Sequence, residues 1–297
     1  MELRQLRYLA AVVEEANFTR AADKVFVSQS ALSQQIQSLE QEVGTVLLDR
    51  SRRGVTLTAA GEILYRHAQR VFLELEQAEI AMHELDGLLR GDLRVGVVQT
   101  VNDYLMPALV AAFAAQYPDI RLYVDELPSD EVEARLENGR LQVGLSFLPA
   151  TQGGIEASPL LEERLVLIAR DDHILAAESD VAVESLDGMP LVMLANTFCT
   201  RRLWEENARL AGAQPQVVME MNTVSSILAV VEKTGLATVL PALTLADERL
   251  SHLRRIPLSK PTPMRTVGIM WPKERYMCSA SRTFIDTAKK VVEGLGE

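Results

Sequence analysis

Phe18-Thr-Arg-Ala-Ala-Asp-Lys-Val-Phe-Val-Ser-Gln-Ser-Ala-Leu-Ser-Gln-Gln-Ile-Gln-Ser-Leu-Glu-Gln-Glu-Val-Gly44, running on to Arg50-Ser-Arg-Arg53, is the stretch from which the fold reads outward. Leu32, Ile36, Leu39 and Val43 recur at helical spacing and give one apolar face. Ser28 stands where an N-cap belongs, and Gly44 follows the last apolar position as a stop. The opposite face carries Ser30, Ser33, Gln34 and Gln37, polar but uncharged. Such side chains both donate and accept hydrogen bonds, as base edges in a DNA major groove require. A shorter segment with Ala21, Ala22 and Val25 precedes it, with a break around Phe26 to Ser28. Two short helices, the second with polar tips, predict a helix-turn-helix. From these residues alone a helical hairpin with a solvated face is the alternative.

Two short β-prone runs, Thr45 to Leu48 and Val55 to Leu57, flank Asp49-Arg-Ser-Arg-Arg-Gly54. They read as a hairpin wing with a basic tip, able to contact phosphate beside a reading helix. Here the chain resembles the LysR-type transcriptional regulators. The resemblance is carried by Leu6-Arg-Tyr-Leu9, Asn17-Phe-Thr-Arg-Ala-Ala22, Ser28-Gln-Ser-Ala-Leu-Ser33, Ile36-Gln-Ser-Leu-Glu40 and Leu57-Thr-Ala-Ala-Gly61. One departure is Ser30, where many members have proline. The resemblance implies DNA contacts from Ser28, Gln29, Ser30, Ser33, Gln34, Gln37, Arg52 and Arg53, and a double-stranded operator as partner.

The 297 residues carry a net charge of −11. Residues 1–60 hold seven basic and seven acidic side chains, so the negative excess lies downstream, where it discourages non-specific attachment to DNA. The N-terminus lacks the pattern of a signal peptide, and no apolar run approaches a membrane span, so a cytoplasmic protein is expected. Cys199 and Cys278 are the two cysteines, too few for a disulfide framework. The four histidines have no metal-ligand spacing, and neither metal nor cofactor is expected.

From Thr58 the positions Leu64, Ala68, Val71, Leu75, Ala78, Met82, Leu85 and Leu89 step four, three, four, three. That heptad predicts a helix of roughly 48 Å pairing in a coiled coil. In the family such a linker helix joins two DNA-binding units, which implies a homodimer, with a homotetramer as a further state. Beyond Asp92, strand-like runs alternate with helical ones, indicating an α/β fold. The expected order includes strands at Leu93 to Val98, Ile120 to Leu127, Leu141 to Phe147, Leu165 to Ala169, Leu191 to Leu194, Gln216 to Met221, Ala237 to Leu240 and Thr266 to Trp271. Helices are expected over Tyr104 to Tyr117, Ser129 to Glu137, Thr200 to Leu210, Thr223 to Lys233 and Ser279 to Glu293. The family pattern implies two Rossmann-like halves, as in periplasmic solute-binding proteins, with crossings near Glu162–Arg164 and Pro263–Arg265. The domains are then a winged helix-turn-helix over 1–60, a linker helix over 58–90, subdomain I over 91–163 with 265–297, and subdomain II over 164–264.

Ligands of open α/β sheets bind beyond the carboxyl ends of strands. Three polar stretches lie there: Gln99-Thr100-Val101-Asn102, Asn196-Thr197-Phe198-Cys199-Thr200 and Asn222-Thr223-Val224-Ser225-Ser226. Each leads toward a helix N-terminus, which favours a small anion. Helix capping alone remains the alternative at each. The candidate effector residues are Gln99, Thr100, Val101, Asn196, Thr197, Cys199, Thr200, Asn222, Thr223 and Ser225. Leu194 to Arg201, Pro215 to Asn222 and Ala237 to Pro241 resemble the family's cyanate-responsive branch, which implies a small anion. No carboxylate pair, Ser-His-Asp set or glycine-rich phosphate loop supports an enzyme. A transport solute-binding protein is a rival reading. A redox sensor is another, because Cys199 precedes a helix and Arg201 and Arg202 follow it.

Overall fold

The computed structural model describes residues 1–51, 54–84, 91–245, 250 and 252–295. The chain separates into two units, Met1–Asp86 and Gly87–Glu297. The first comprises α1 (Leu3–Glu15), α2 (Phe18–Lys24), α3 (Gln29–Val43), strands β1 (Leu48–Ser51) and β2 (Gly54–Leu57), and α4 (Ala59–Glu84). Its core gathers Leu9, Val12, Ala21, Ala22, Leu32, Ile36 and Leu39 from the three short helices with Leu47 from the wing. Local chemistry fixes each joint. Asn17 Oδ1 accepts from the N–H groups of Thr19 (2.8 Å) and Arg20 (3.1 Å) to start α2. Ser28 Oγ accepts from Ala31 N at 3.2 Å to start α3, and Gly44 ends it at φ +78°. Thr58 Oγ1 caps α4 through Gly61 N at 3.0 Å. Gly61 is obligatory: a Cβ there would stand 2.0 Å from the Leu47 carbonyl oxygen. The first strand of the wing lies three residues further along the chain than expected, reaching into the stretch read as its tip. The N–H groups of Leu47 and Leu48 go to the Glu40 carboxylate (2.9 and 3.3 Å) rather than into the ladder, so β1 starts at Leu48.

The turn before α3 has an unusual residue. Phe26 takes φ +56°, a left-handed conformation that costs a non-glycine residue about 1 kcal/mol, and the residue is 93% exposed.

The second unit comprises β3 (Gly91–Val97), α5 (Gln99–Tyr104), α6 (Met106–Gln116), β4 (Ile120–Glu126), α7 (Ser129–Glu137), β5 (Val143–Phe147), β6 (Ile155–Arg170), β7 (Val181–Ala182), β8 (Pro190–Leu194), α8 (Cys199–Leu210), β9 (Gln216–Met221), α9 (Val224–Lys233), β10 (Thr238–Pro241), β11 (Leu253–Ser259), β12 (Met264–Pro272) and α10 (Ser279–Leu295). The main sheet runs β4-β3-β5-β12-β6-β11-β7, with β10 also paired to β6. β4, β3 and β5 are parallel, and β12 lies antiparallel between β5 and β6. β8 and β9 form a separate parallel pair.

β6 is one continuous strand of 16 residues. Up to Arg164 it pairs with β12, and from Leu165 onward with β10 and β11. The sequence pattern located only its second half, because Pro159 interrupts the first. Proline has no N–H to give, and the register shifts there, opposite Val267 and Gly268. One core packs Phe113, Phe284, Leu109 and Val95 around β3, β5 and β12. Two others, around Trp204 and around Ile227, cover the two faces of β8 and β10.

The single helix expected over Tyr104 to Tyr117 is two. α5 already begins at Gln99, and the break falls at Leu105 because Pro107, at the start of α6, cannot donate into a preceding turn. The stretch Gln99 to Asn102 is therefore helix rather than a polar loop.

Candidate functional site

The carboxyl ends of β3, β4, β5 and β8 converge on a cavity of about 100 Å³. α5 contributes Gln99 and Thr100, and the turn into α7 contributes Leu127, Pro128 and Ser129. Phe147 comes from the end of β5, and Thr197 to Thr200 from the entry to α8. The first N–H groups of a helix have no partner within it. None of the N-caps Val98, Phe198 and Thr223 makes a side-chain cap bond, so side-chain capping does not account for the polar residues there.

Arg265 of β12 ties the cavity's two sides together. Its Nη2 donates to Thr100 Oγ1 at 2.8 Å and its Nη1 to Thr200 Oγ1 at 2.6 Å. Its Nε donates to Glu163 Oε2 of β6, and its guanidinium lies 3.8 Å from the Phe147 ring centroid. The pair is almost sealed from solvent, with side-chain exposures of 7% for Arg265 and 1% for Glu163. A guanidinium cannot accept a hydrogen bond. Each threonine hydroxyl that accepts from it therefore keeps its own proton for another acceptor.

Among the described residues, Glu163 Oε1 and the Tyr104 hydroxyl are buried with no partner in hydrogen-bonding geometry, although the two groups are close enough to interact. Burial, and then the Glu163 carboxylate, raise the Tyr104 hydroxyl well above the usual phenol range, with Arg265 opposing. Gln99 Nε2 donates to the Asn222 carbonyl, while its Oε1 is buried without a partner among the described residues. Cys199 Sγ lies 2.9 Å from Arg202 Nη2, whose Nη1 donates to the Thr197 carbonyl at 2.7 Å.

Of the residues singled out by sequence, Gln99, Thr100, Thr197, Cys199 and Thr200 share this cavity. Asn222 meets it through its backbone bond with Gln99. The others fall elsewhere. Val101 is fully buried in the core, since the early start of α5 turns it inward. Asn196 and Thr223 are exposed off the lining. Ser225 lines a larger groove of about 670 Å³ with Asp103, Tyr104 and Glu232. Burial and then Glu126 raise the Asp103 carboxyl to about 6. Sequence reasoning missed Arg265, Glu163, Ser129 and Phe147. Glu163 and Arg265 stood inside the expected crossings, but only strand register shows that both side chains turn inward.

On the first unit, Ser28, Gln29, Ser30, Gln34 and Gln37 are exposed on α3 and Ser33 is half-buried. The Ser28 hydroxyl caps the helix and meets Ser30 Oγ at 3.1 Å. Arg52 and Arg53 lie outside the described residues. Beside them Arg50 stacks 4.6 Å from the Phe18 ring centroid. On α4, Val71, Leu75, Ala78 and Met82 are exposed, whereas Ala68 is buried; Leu85 and Leu89 of the heptad lie outside the described residues. Among the described residues no helix is long and apolar enough to cross a membrane.

Residues 3–62 match the family described as bacterial regulatory helix-turn-helix protein, lysR family, and residues 86–293 match the LysR substrate binding domain. The hydrogen peroxide-inducible genes activator of Haemophilus influenzae is 30% identical over 302 residues, 99% of this chain and 100% of its own. The DNA-binding transcriptional dual regulator OxyR of Escherichia coli is 32% identical over 273 residues, 91% of this chain and 89% of its own. The fold is similar to full-length OxyR C199D from Pseudomonas aeruginosa, with a TM-score of 0.75, 26% identity and coverage of 99% and 95%. It is also similar to full-length CbnR in complex with its target DNA, with a TM-score of 0.72, 23% identity and coverage of 98% and 100%.

Proposed function

This chain belongs to the LysR family of bacterial transcriptional regulators, and we propose that α3 reads its operator while a small polar anion in the α5–α8 cavity sets its activity. It is a DNA-binding regulator with an effector-binding domain, not an enzyme. The solute-binding rival does not account for the helix-turn-helix. The reading helix presents Gln29, Ser30, Ser33, Gln34 and Gln37, and Arg52 and Arg53 at the wing meet phosphate or the minor groove. Ser28 acts by starting the helix. The exposed apolar positions of α4 pair with those of a second copy, giving a homodimer that can assemble further into a tetramer. The change of partners along β6 at Arg164 supports subdomains at 91–163 with 265–297, and at 164–264. A regulator of this kind works in the cytoplasm, where its operator is.

The observation that carries the effector reading is the Arg265 bridge. One guanidinium holds a hydroxyl from each side of the cavity, so both are oriented by a group that can only donate. Their protons, with the positive end of the α8 dipole, make a donor-rich pocket. Its size suits a molecule of a few non-hydrogen atoms rather than a nucleotide. Thermal-shift titration of the full chain with small carboxylates and oxyanions tests this. One of them should raise the melting temperature of the wild type. Thr197→Val, at an exposed lining position, should lose that response with its own melting temperature unchanged. A response that survives this change and Cys199→Ser moves the site elsewhere.

A second reading is favoured by Cys199, which lines the same cavity and accepts from Arg202. Relatives 30–32% identical are named hydrogen peroxide-inducible genes activators. Hydrogen peroxide would transfer oxygen to the sulfur, the S–O bond forming as O–O breaks, to leave a sulfenic acid and water. In that case Cys199→Ser abolishes the transcriptional response to peroxide. If Cys199→Ser responds normally and Thr197→Val does not, the bound anion is the signal.

A further inference from the structure

Phe26 has the most exposed large apolar side chain among the described residues. It also occupies the left-handed backbone position that follows α2, where glycine is the usual choice. Both features work against the folded state. A wetted ring adds nothing to the core, and a residue with a Cβ at positive φ is strained. The flanking Val25 and Val27 are half-buried against the core, so the turn is anchored without the ring. One residue further along the chain come exposed Ser28, Gln29 and Ser30, the N-terminal end of α3.

We propose that Phe26 contacts DNA, its ring packing against a thymine 5-methyl group at the edge of the major groove, so that the operator half-site holds a thymine at the N-terminal end of α3. The inference rests on α3 being the reading helix. Phenylalanine is among the side chains that suit the thymine methyl. A ring releases no counterions, so its contribution is independent of salt, unlike that of the wing arginines.

The test uses the full chain and a duplex selected by it from random-sequence DNA. Binding is measured over a range of salt for wild type, Phe26→Gly, Phe26→Asn and Gln34→Ala, and on duplexes with each thymine replaced singly by deoxyuridine. Both Phe26 variants suit the backbone of the turn and should melt no lower than wild type. They should bind the selected duplex about tenfold more weakly, the worth of a partly buried ring, with an unchanged salt slope. One deoxyuridine should weaken wild-type binding about fourfold, the worth of one methyl, and leave the Phe26 variants unaffected. Wild-type affinity in both variants overturns the inference, and so does a deoxyuridine effect that persists in them. If Gln34→Ala leaves the preference for selected over random DNA undiminished, α3 is not the reading helix. If it narrows that preference while Phe26→Gly binds as wild type, only the Phe26 contact is wrong.

Discussion

Glu163→Gln should destabilise the second unit severely, although it alters no volume. The carboxylate is 1% exposed and is the counter-ion of Arg265, itself 7% exposed. Removing one partner of a buried pair typically costs about 3–5 kcal/mol, because the other charge stays behind in a medium of low polarity. The glutamine oxygen can still accept from Arg265 Nε, which returns about 1 kcal/mol. The net loss is then about 2–4 kcal/mol. A domain of about 150–250 residues loses roughly 2–4 °C per kcal/mol, so its melting point should fall by roughly 5–15 °C. Trp204 and Trp271 are the two tryptophans and both lie in this unit, so their fluorescence during urea unfolding reports it alone. The partner experiment is Arg265→Met, singly and combined with Glu163→Leu. With both charges gone, the double variant should be more stable than the sum of the single losses allows, by about 2 kcal/mol or more. It should fold and yet fail to respond to the effector, since Thr100 and Thr200 no longer share a donor. A loss under about 1 kcal/mol for Glu163→Gln, additive with Arg265→Met, would refute the bridge as a coupled buried pair.

Leu75→Asp sets a charge on the exposed stripe of α4; sedimentation at micromolar concentration should show dimer for wild type and monomer for the variant, and a monomeric wild type refutes the pairing. Gln34→Ala should cost roughly 1–3 kcal/mol on the selected operator and little on random DNA, measured by gel shift, because a lost base contact removes discrimination. Asp103 is raised by burial and by Glu126 to about 6 from 3.8, so the folded state holds the proton more tightly than the unfolded one. Its contribution is favourable at low pH and is lost as pH rises from about 4 through about 6. Asp103→Asn should therefore melt higher than wild type above pH 6, with the gain vanishing below pH 4; partial exposure screens the effect, and an equal gain at both pH values contradicts it.

The first unit was legible because its signals are local. A cap at Ser28, a stop at Gly44 and an apolar step along Leu32, Ile36 and Leu39 each act within one turn of α3, and the structure keeps all three. Strands buried on both sides, such as β5 and β8, announce themselves by composition. The cavity was half legible. Thr100, Thr197, Cys199 and Thr200 follow strands, and a rule about strand ends finds them. Arg265 and Glu163 do not reveal themselves, since Glu162, Glu163 and Arg164 are equally charged neighbours. Which of them faces inward depends on pairing with β12, about a hundred residues away, and on a register shift at Pro159. Val101 was misassigned for a related reason: an apolar residue after a strand reads as loop lining until the helix is known to start at Gln99.

The position of β12 in the main sheet has a consequence for the order in which the protein is made. β12 fills the place between β5 and β6, yet more than ninety residues separate it from either, and α10, which brings Phe284 against Phe113, comes later still. A ribosome delivers the helix-turn-helix first, and that unit has its own core. The sheet stays open between β5 and β6 until almost the whole chain has emerged. A message cut short before Met264 would therefore yield a product with a formed operator-reading head and no closed sensor. Such fragments would occupy operators without answering to any signal, which makes late nonsense mutations dominant over the intact allele.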